Sequence, residues 1–393
     1  MKTLSRDPRL LALVLALGLV GCSGDDESSG TKGHTPAVVP PFPQVPNLGG
    51  PTLSAPHLVP VYFPGDPLES KLEAFHSWLS GSDYVAERWG EYGVAPPSLA
   101  PPVHVAAPPA NELEDTDITA WLAEKITSKD IPPPDANTVY LAYFPSATTV
   151  KLGSAVGCTH FGAYHRVAAV PGGSLPGGMA PYVVLPRCPG DGRELDMLTN
   201  YASHELIEVV TDPMALDAPA WQLPMDAGSS TEAWITIGGP KLGDLCENQV
   251  YDLIDGYYVQ DVWSNAAAAD FRNPCQPSDP KRPYFTTVSE QTVYHAAPGE
   301  TVLVQATATS NLPRADWKLA LTSYPPPLPN DFDGQAVLSR EKANNGDPVT
   351  VTVEVPQNPP QSNGRSVYRF TIDALTDDDS GFYHPWPVMI VVH

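Results

Sequence analysis

Positive charge is what this sequence has least of. Its 22 lysines and arginines face 45 aspartates and glutamates, for a formal net charge of -23 over 393 residues. Phosphate backbones are bound by basic faces, so this balance excludes nucleic acid as a partner; a solvated acidic surface accounts for it. Cysteine is sparse as well. There are five, no two of them spaced Cys-x-x-Cys, which excludes a zinc ribbon. No Gly-x-Ser-x-Gly elbow supports a serine nucleophile. After the first 21 residues, no run is long and apolar enough for a membrane helix. Proline is abundant by contrast, with 46 residues clustered in loops and near the start of the chain.

The N-terminus is the one long apolar stretch. Lys2, Arg6 and Arg9 precede "LLALVLALGLVG", and the run ends at Cys22. A basic region, an apolar region and a small residue before the cut describe a secretory signal over residues 1–21. Its "LVGC" ending resembles the bacterial lipobox, which implies a lipid on Cys22 and an anchor that does not span the bilayer. The expected location is therefore the bacterial cell envelope, on the outer membrane or cell surface. Residues 22–56, rich in Gly, Ser, Pro and acid, read as a flexible tether. In an exported setting, Cys158, Cys188, Cys246 and Cys275 are expected to form disulfides. Four cysteines allow three pairings; the sequential one closes two loops of similar size, each stabilising by about 3–4 kcal/mol.

Residues 57–283 alternate strand and helix patterns. "HLVPVYFPG" (57–65) reads as a strand, followed by a helix with Asp66 as N-cap, Pro67 at its first position, and Leu68, Leu72, Phe75 and Leu79 at helical spacing. His76 and Trp78 on that helix suit packing or surface roles. "DTDITAWLAEKITSKD" (115–130) is a second helix, capped by Asp115 or Asp117. The segments 137–145, 164–170 and 181–186 are strands, the first apolar enough to be covered on both faces. "RELDMLTNYASHELIEVVTDP" is a third helix, stopped by Pro213. This order predicts an α/β (α+β) domain with a mixed sheet. From residue 284 to 393, short alternating strands between turns predict an all-β immunoglobulin-like sandwich.

Chemistry concentrates on the third helix. His204 and Glu208 lie four residues apart and so share one face, where a single metal ion can take a nitrogen from one and an oxygen from the other. Glu205 projects about 100 degrees away, placed to act as general base on a water. That is the logic of the His-Glu-x-x-His zinc helix, with a carboxylate in place of the second imidazole. A catalytic zinc needs a third protein ligand. Asp244 is favoured because Cys246, two residues on, would pin it; Asp212, His160 and His165 are the other candidates. His165 fits better on the substrate side or behind the ligands.

The segment "ASHELIEVVTDP", followed by Trp221, "GDLC" and "YYVQDVWSNAAAA", resembles a group of secreted bacterial proteins with a His-Glu-x-x-Glu-x-x-Thr-Asp-Pro segment. These are similar in turn to the plant EXORDIUM (phosphate-induced) proteins. "HLVPVYFPG", "GAYHRVAAV" and "PYVVLPRC" extend the resemblance over residues 57–275. It implies a zincin-like domain carrying His204, Glu205 and Glu208, with Asp244 in the region after the helix. The expected activity is zinc-dependent hydrolysis, with an extended peptide as substrate. The alternative is a cell-surface binding or adhesion protein, with a structural or vestigial metal site and a cell-surface polymer as partner.

Overall fold

Nearly continuous apolar runs in three strands organise the first half of the molecule. In the computed structural model, the strands His57–Tyr62, Thr138–Phe144 and Met179–Pro186 run parallel at the centre of one sheet. Their residues divide by parity between two apolar clusters. Leu58, Tyr62, Val139, Leu141, Tyr143, Val183 and Leu185 join one; Val59, Val61, Tyr140, Ala142, Tyr182 and Val184 join the other. A strand with apolar residues of both parities must be covered on both faces. Ile118, Trp121, Leu122 and Ile126 of helix Asp115–Ser128 cover one. Helices Glu69–Gly81 and Glu194–Thr211 cover the other. Ser98–Leu99 adds a short parallel edge, and Tyr164–Ala169 pairs antiparallel with Met179–Pro186 at the opposite edge, so the sheet is mixed.

The structure describes residues 42–393 except 109, 190–191, 248–251, 277–283, 312–315, 324–334, 362–363 and 377–382. The expected signal segment, Cys22 and residues 22–41 of the expected tether lie outside the described residues. Among the described residues, no helix is long and apolar enough to cross a membrane.

Three local expectations are corrected. Residues 42–56 are built into the body of the protein instead of belonging to a tether: Phe42, Val45 and Leu53 are buried, and Asn47 bridges to Trp221. Asp66 caps a turn, accepting from the Leu68 N–H, and the helix proper starts at Glu69 beyond Pro67. Glu114, which precedes both expected caps, is the N-cap of helix Asp115–Ser128. It forms a reciprocal capping box with Asp117.

From Phe285 onward two sheets form a β-sandwich. One has the order Phe285–Ser289, Thr301–Ser310, Pro348–Glu354, Gln335–Leu338, antiparallel throughout. The other runs Val293–Ala296, Tyr383–Val392, Ser366–Leu375, Trp317–Ser323, Lys342–Ala343. Thr301–Ser310 begins with a strict exposed–buried alternation, whereas Ser366–Leu375 is buried at nearly every position. The outer face of that second sheet is covered: Ala233 of helix Ser230–Ile235 packs on Val367, Met389 and Val391. Glu232 of the same helix pairs with Arg365 and Arg369.

Candidate functional site

Helix Glu194–Thr211 lies on the sheet through Leu198, Ala202, Leu206 and Val209, all buried. Two side-chain bonds hold it against the hairpin of Asp252–Ile254 and Tyr257–Val259: Thr199 donates to the Tyr258 carbonyl, and the Gln260 N–H donates to Ser203. That hairpin turns through Asp255 and Gly256, both with positive φ, as a two-residue Asp-Gly connection requires. His204, Glu205 and Glu208 therefore stand on a fixed face.

Two other segments bring partners to that face. Edge strand Tyr164–Ala169 alternates, so Tyr164 and Arg166 meet Asp115 on one side of the sheet while His165 points to the helix. His165 Nδ1 is 2.9 Å from Glu205 Oε2 and 3.8 Å from Glu208 Oε2. The 3-10 turn Asp244–Cys246 is anchored by the Cys246–Cys275 disulfide. It places Asp244 Oδ1 3.7 Å from His204 Nε2, which is itself 3.4 Å from Glu208 Oε1. The second disulfide joins Cys158 to Cys188, so the pairing is sequential.

Of the candidates for a third donor, the structure brings Asp244 to His204 and Glu208. Asp212 is turned away: it is the C-cap of the helix, and its Oδ1 accepts from the Ala220 N–H at 2.7 Å. His160 braces its own turn, accepting from the Val156 N–H through Nδ1, although it also lines the cavity rim. Donor atoms about 2.0–2.2 Å from one zinc lie roughly 3–3.6 Å apart. His204 Nε2 stands at that spacing from Glu208 Oε1 and about 0.1 Å beyond it from Asp244 Oδ1, and the ligand atoms of the three residues all lie within 4.8 Å of one another, so this donor set suits zinc.

Lys241 and Gly243 are the residues that sequence reasoning did not assign. The Lys241 ammonium ion-pairs with Glu208 Oε2, and its backbone N–H donates to Asp244 Oδ2 at 3.2 Å. Gly243 lies so close to the site that an added Cβ would stand 3.0 Å from Glu208 Oε1 and 3.1 Å from His204 Nδ1. The only signal in the sequence was "GGPKLGDLC", in which a lysine and a glycine precede the acid.

Charge balance keeps the cluster ionised. Burial opposes a proton on His204, but Glu208, Glu205, Asp244 and Glu247 outweigh it and raise its pKa to about 9. Burial, reinforced by Glu208, pushes Asp244 up to about 6 against Lys241 and His204. For Glu205, burial is overcome by the His165 hydrogen bond and by His204 and Lys241, which hold it below the usual carboxylate range. Lys241 is raised above an ordinary lysine despite burial, chiefly by Glu208 and Asp244.

All of these groups line a cavity of about 530 Å³, whose walls also include Phe161, Val167, Tyr201, Met214 and Leu216. Gly162 lets Tyr201 form part of the wall, since a Cβ there would fall 2.2 Å from its ring.

No protein-family model and no curated protein matches the chain. Among solved structures, domains 4 and 5 of the S-layer protein SbsC are similar over 28% of this chain and 46% of that one, at 17% identity and a TM-score of 0.20. The class 5 fimbriae chaperone CfaA is similar over 27% of this chain and 54% of that one, at 15% identity and a TM-score of 0.18. This chain thus spans about half the length of those two. The BIgI domain of beta protein from S. agalactiae is similar over 28% of this chain and 97% of that domain, at 19% identity and a TM-score of 0.17.

Proposed function

We propose that this protein is a lipid-anchored, exported zinc-dependent metallohydrolase of zincin-like type that cleaves extended peptides at the bacterial cell envelope. The observation that carries the reading is the convergence of His204, Glu208 and Asp244, whose ligand atoms all lie within 4.8 Å of one another, on the wall of a cavity that Glu205 also lines. Its resemblance to secreted bacterial proteins with the same helix motif, and through them to the EXORDIUM proteins, points the same way. Lipid on Cys22 would supply the anchor.

Zinc held by these three residues would polarise a substrate carbonyl and make a water acidic. Glu205 is ionised at neutral pH, and its Oε2 is engaged by His165, so Oε1 would be the atom to take a proton from a water. His165 keeps Glu205 from swinging away. The edge strand Tyr164–Ala169 has one paired neighbour among the described residues, and Tyr164 to Val167 line the cavity. Its open backbone edge is suited to pairing with an extended peptide. Replacing Glu205→Gln is expected to abolish peptide hydrolysis while leaving bound zinc at the wild-type level. Turnover in that variant above a hundredth of wild type would remove the mechanism.

One observation favours a second reading, a cell-surface binding protein with a vestigial or structural metal site. The Lys241 ammonium already neutralises Glu208. Less than half an equivalent of zinc in purified protein, with no loss of thermal stability in chelator, would favour that reading.

A further inference from the structure

Six donor atoms around the helix form two groups, not one. The first is His204 Nε2, Glu208 Oε1 and Asp244 Oδ1; the second is His165 Nδ1, Glu205 Oε2 and Glu208 Oε2. Glu208 belongs to both, and it faces them with opposite oxygens. A carboxylate bridging in this way is suited to two metal ions about 3.5–4 Å apart. A cation already engages one member of the second group: the Lys241 ammonium is paired with Glu208 Oε2, the oxygen that group uses.

We propose that Lys241, by engaging Glu208 Oε2 with its ammonium, competes with a second divalent cation for that oxygen and so restricts a cluster with the donors of a two-metal centre to one zinc ion. This rests on the zinc-site reading given above. The same residue fixes the first group. Its Nζ holds Glu208 Oε2 and its backbone N–H holds Asp244 Oδ2, leaving Oε1 and Oδ1 as the oxygens turned to His204. The Asp244 N–H completes the arrangement by donating to Glu208 Oε1 at 3.1 Å. Lys241 is thus a positioning residue with a second consequence. By keeping a metal ion out of the second group, it leaves Glu205 available to accept a proton instead of serving as a ligand. A neutral side chain at position 241 opens the second group, with His165 and Glu205 giving up their shared hydrogen bond to bind the ion.

Zinc stoichiometry tests this without any assay of hydrolysis. Metal-stripped full-length protein is titrated with zinc by calorimetry, and bound metal is counted by elemental analysis after gel filtration. The expected result is one ion in the wild type and in Lys241→Arg, which keeps the cation, and two ions in Lys241→Met. Adding Glu205→Gln to Lys241→Met removes a donor of the second group and is expected to return the count to one. A Lys241→Met protein that is folded by circular dichroism and holds no more zinc than wild type overturns the proposal. So does a wild type that binds two ions. No zinc in wild type removes the zinc-site reading together with the proposal, whereas one ion in both proteins removes the proposal alone.

Discussion

A methyl group at Gly243 would stand within 3.0–3.2 Å of both Glu208 Oε1 and the His204 ring. Both side chains are held by their own helix and cannot withdraw without changing the donor spacing. Gly243→Ala is therefore expected to weaken zinc binding by about 10- to 100-fold, as changes beside metal ligands do. Affinity measured by competition with a chromophoric chelator would check it, and wild-type affinity would show that the close approach is irrelevant. At this scale the sequence was readable in part. His204, Glu205 and Glu208 stood out because their spacing on a helix is fixed by the backbone. Asp244 was the favoured one of four candidates, and Lys241 had no assigned role. Their placement depends on a turn that returns under the helix 36 residues after Glu208, which no local pattern encodes.

At the level of the element, helix Glu69–Gly81 shows how spacing and capping differ in legibility. Leu72, Phe75 and Leu79 are buried as their periodicity predicts, yet the start shifts because Asp66 spends its carboxylate on a preceding turn. His76 is buried on the same face and shares a 2.7 Å hydrogen bond with Tyr143 of the central strand. Burial lowers its pKa from an ordinary 6.5 to about 3. The unfolded chain therefore takes up a proton near pH 6.5 that the native helix refuses until about pH 3. Its contribution to stability is complete above pH 6.5 and is lost as pH falls toward 3, by up to about 1.4 kcal/mol per pH unit. His76→Gln keeps a polar partner for Tyr143 but does not titrate. Urea denaturation between pH 7 and 4.5 should show a shallower loss of stability in the variant, and parallel curves would contradict the assignment.

The two halves of the molecule meet around Phe42. Its ring lies 5.7 Å from that of Trp234, 6.2 Å from Trp263, 5.6 Å from Tyr284 and 5.6 Å from Trp386. Trp234 and Trp263 belong to the site half, and Tyr284 and Trp386 to the sandwich half. A segment expected to be a tether thus fills the junction. Phe42→Ala is expected to cost about 3–5 kcal/mol and to lower the midpoint of a single thermal transition that carries both halves. Two separate transitions in calorimetry, with only one displaced, would show that the halves unfold independently. By itself the sequence determined what is set over short range: the parity of the strands, the helical face bearing His204 and Glu208, and the alternation that makes a sandwich. Those follow from backbone repeats of two and 3.6 residues, and from the need to bury one face. Only the tertiary structure decided that Asp244 and not Asp212 joins the donors, that Lys241 stands among them, and that Phe42, Val45 and Leu53 join the core. Each of these is a contact between segments distant along the chain. Such contacts are chosen by packing and charge compensation across the whole fold, and no window of neighbouring residues contains that information.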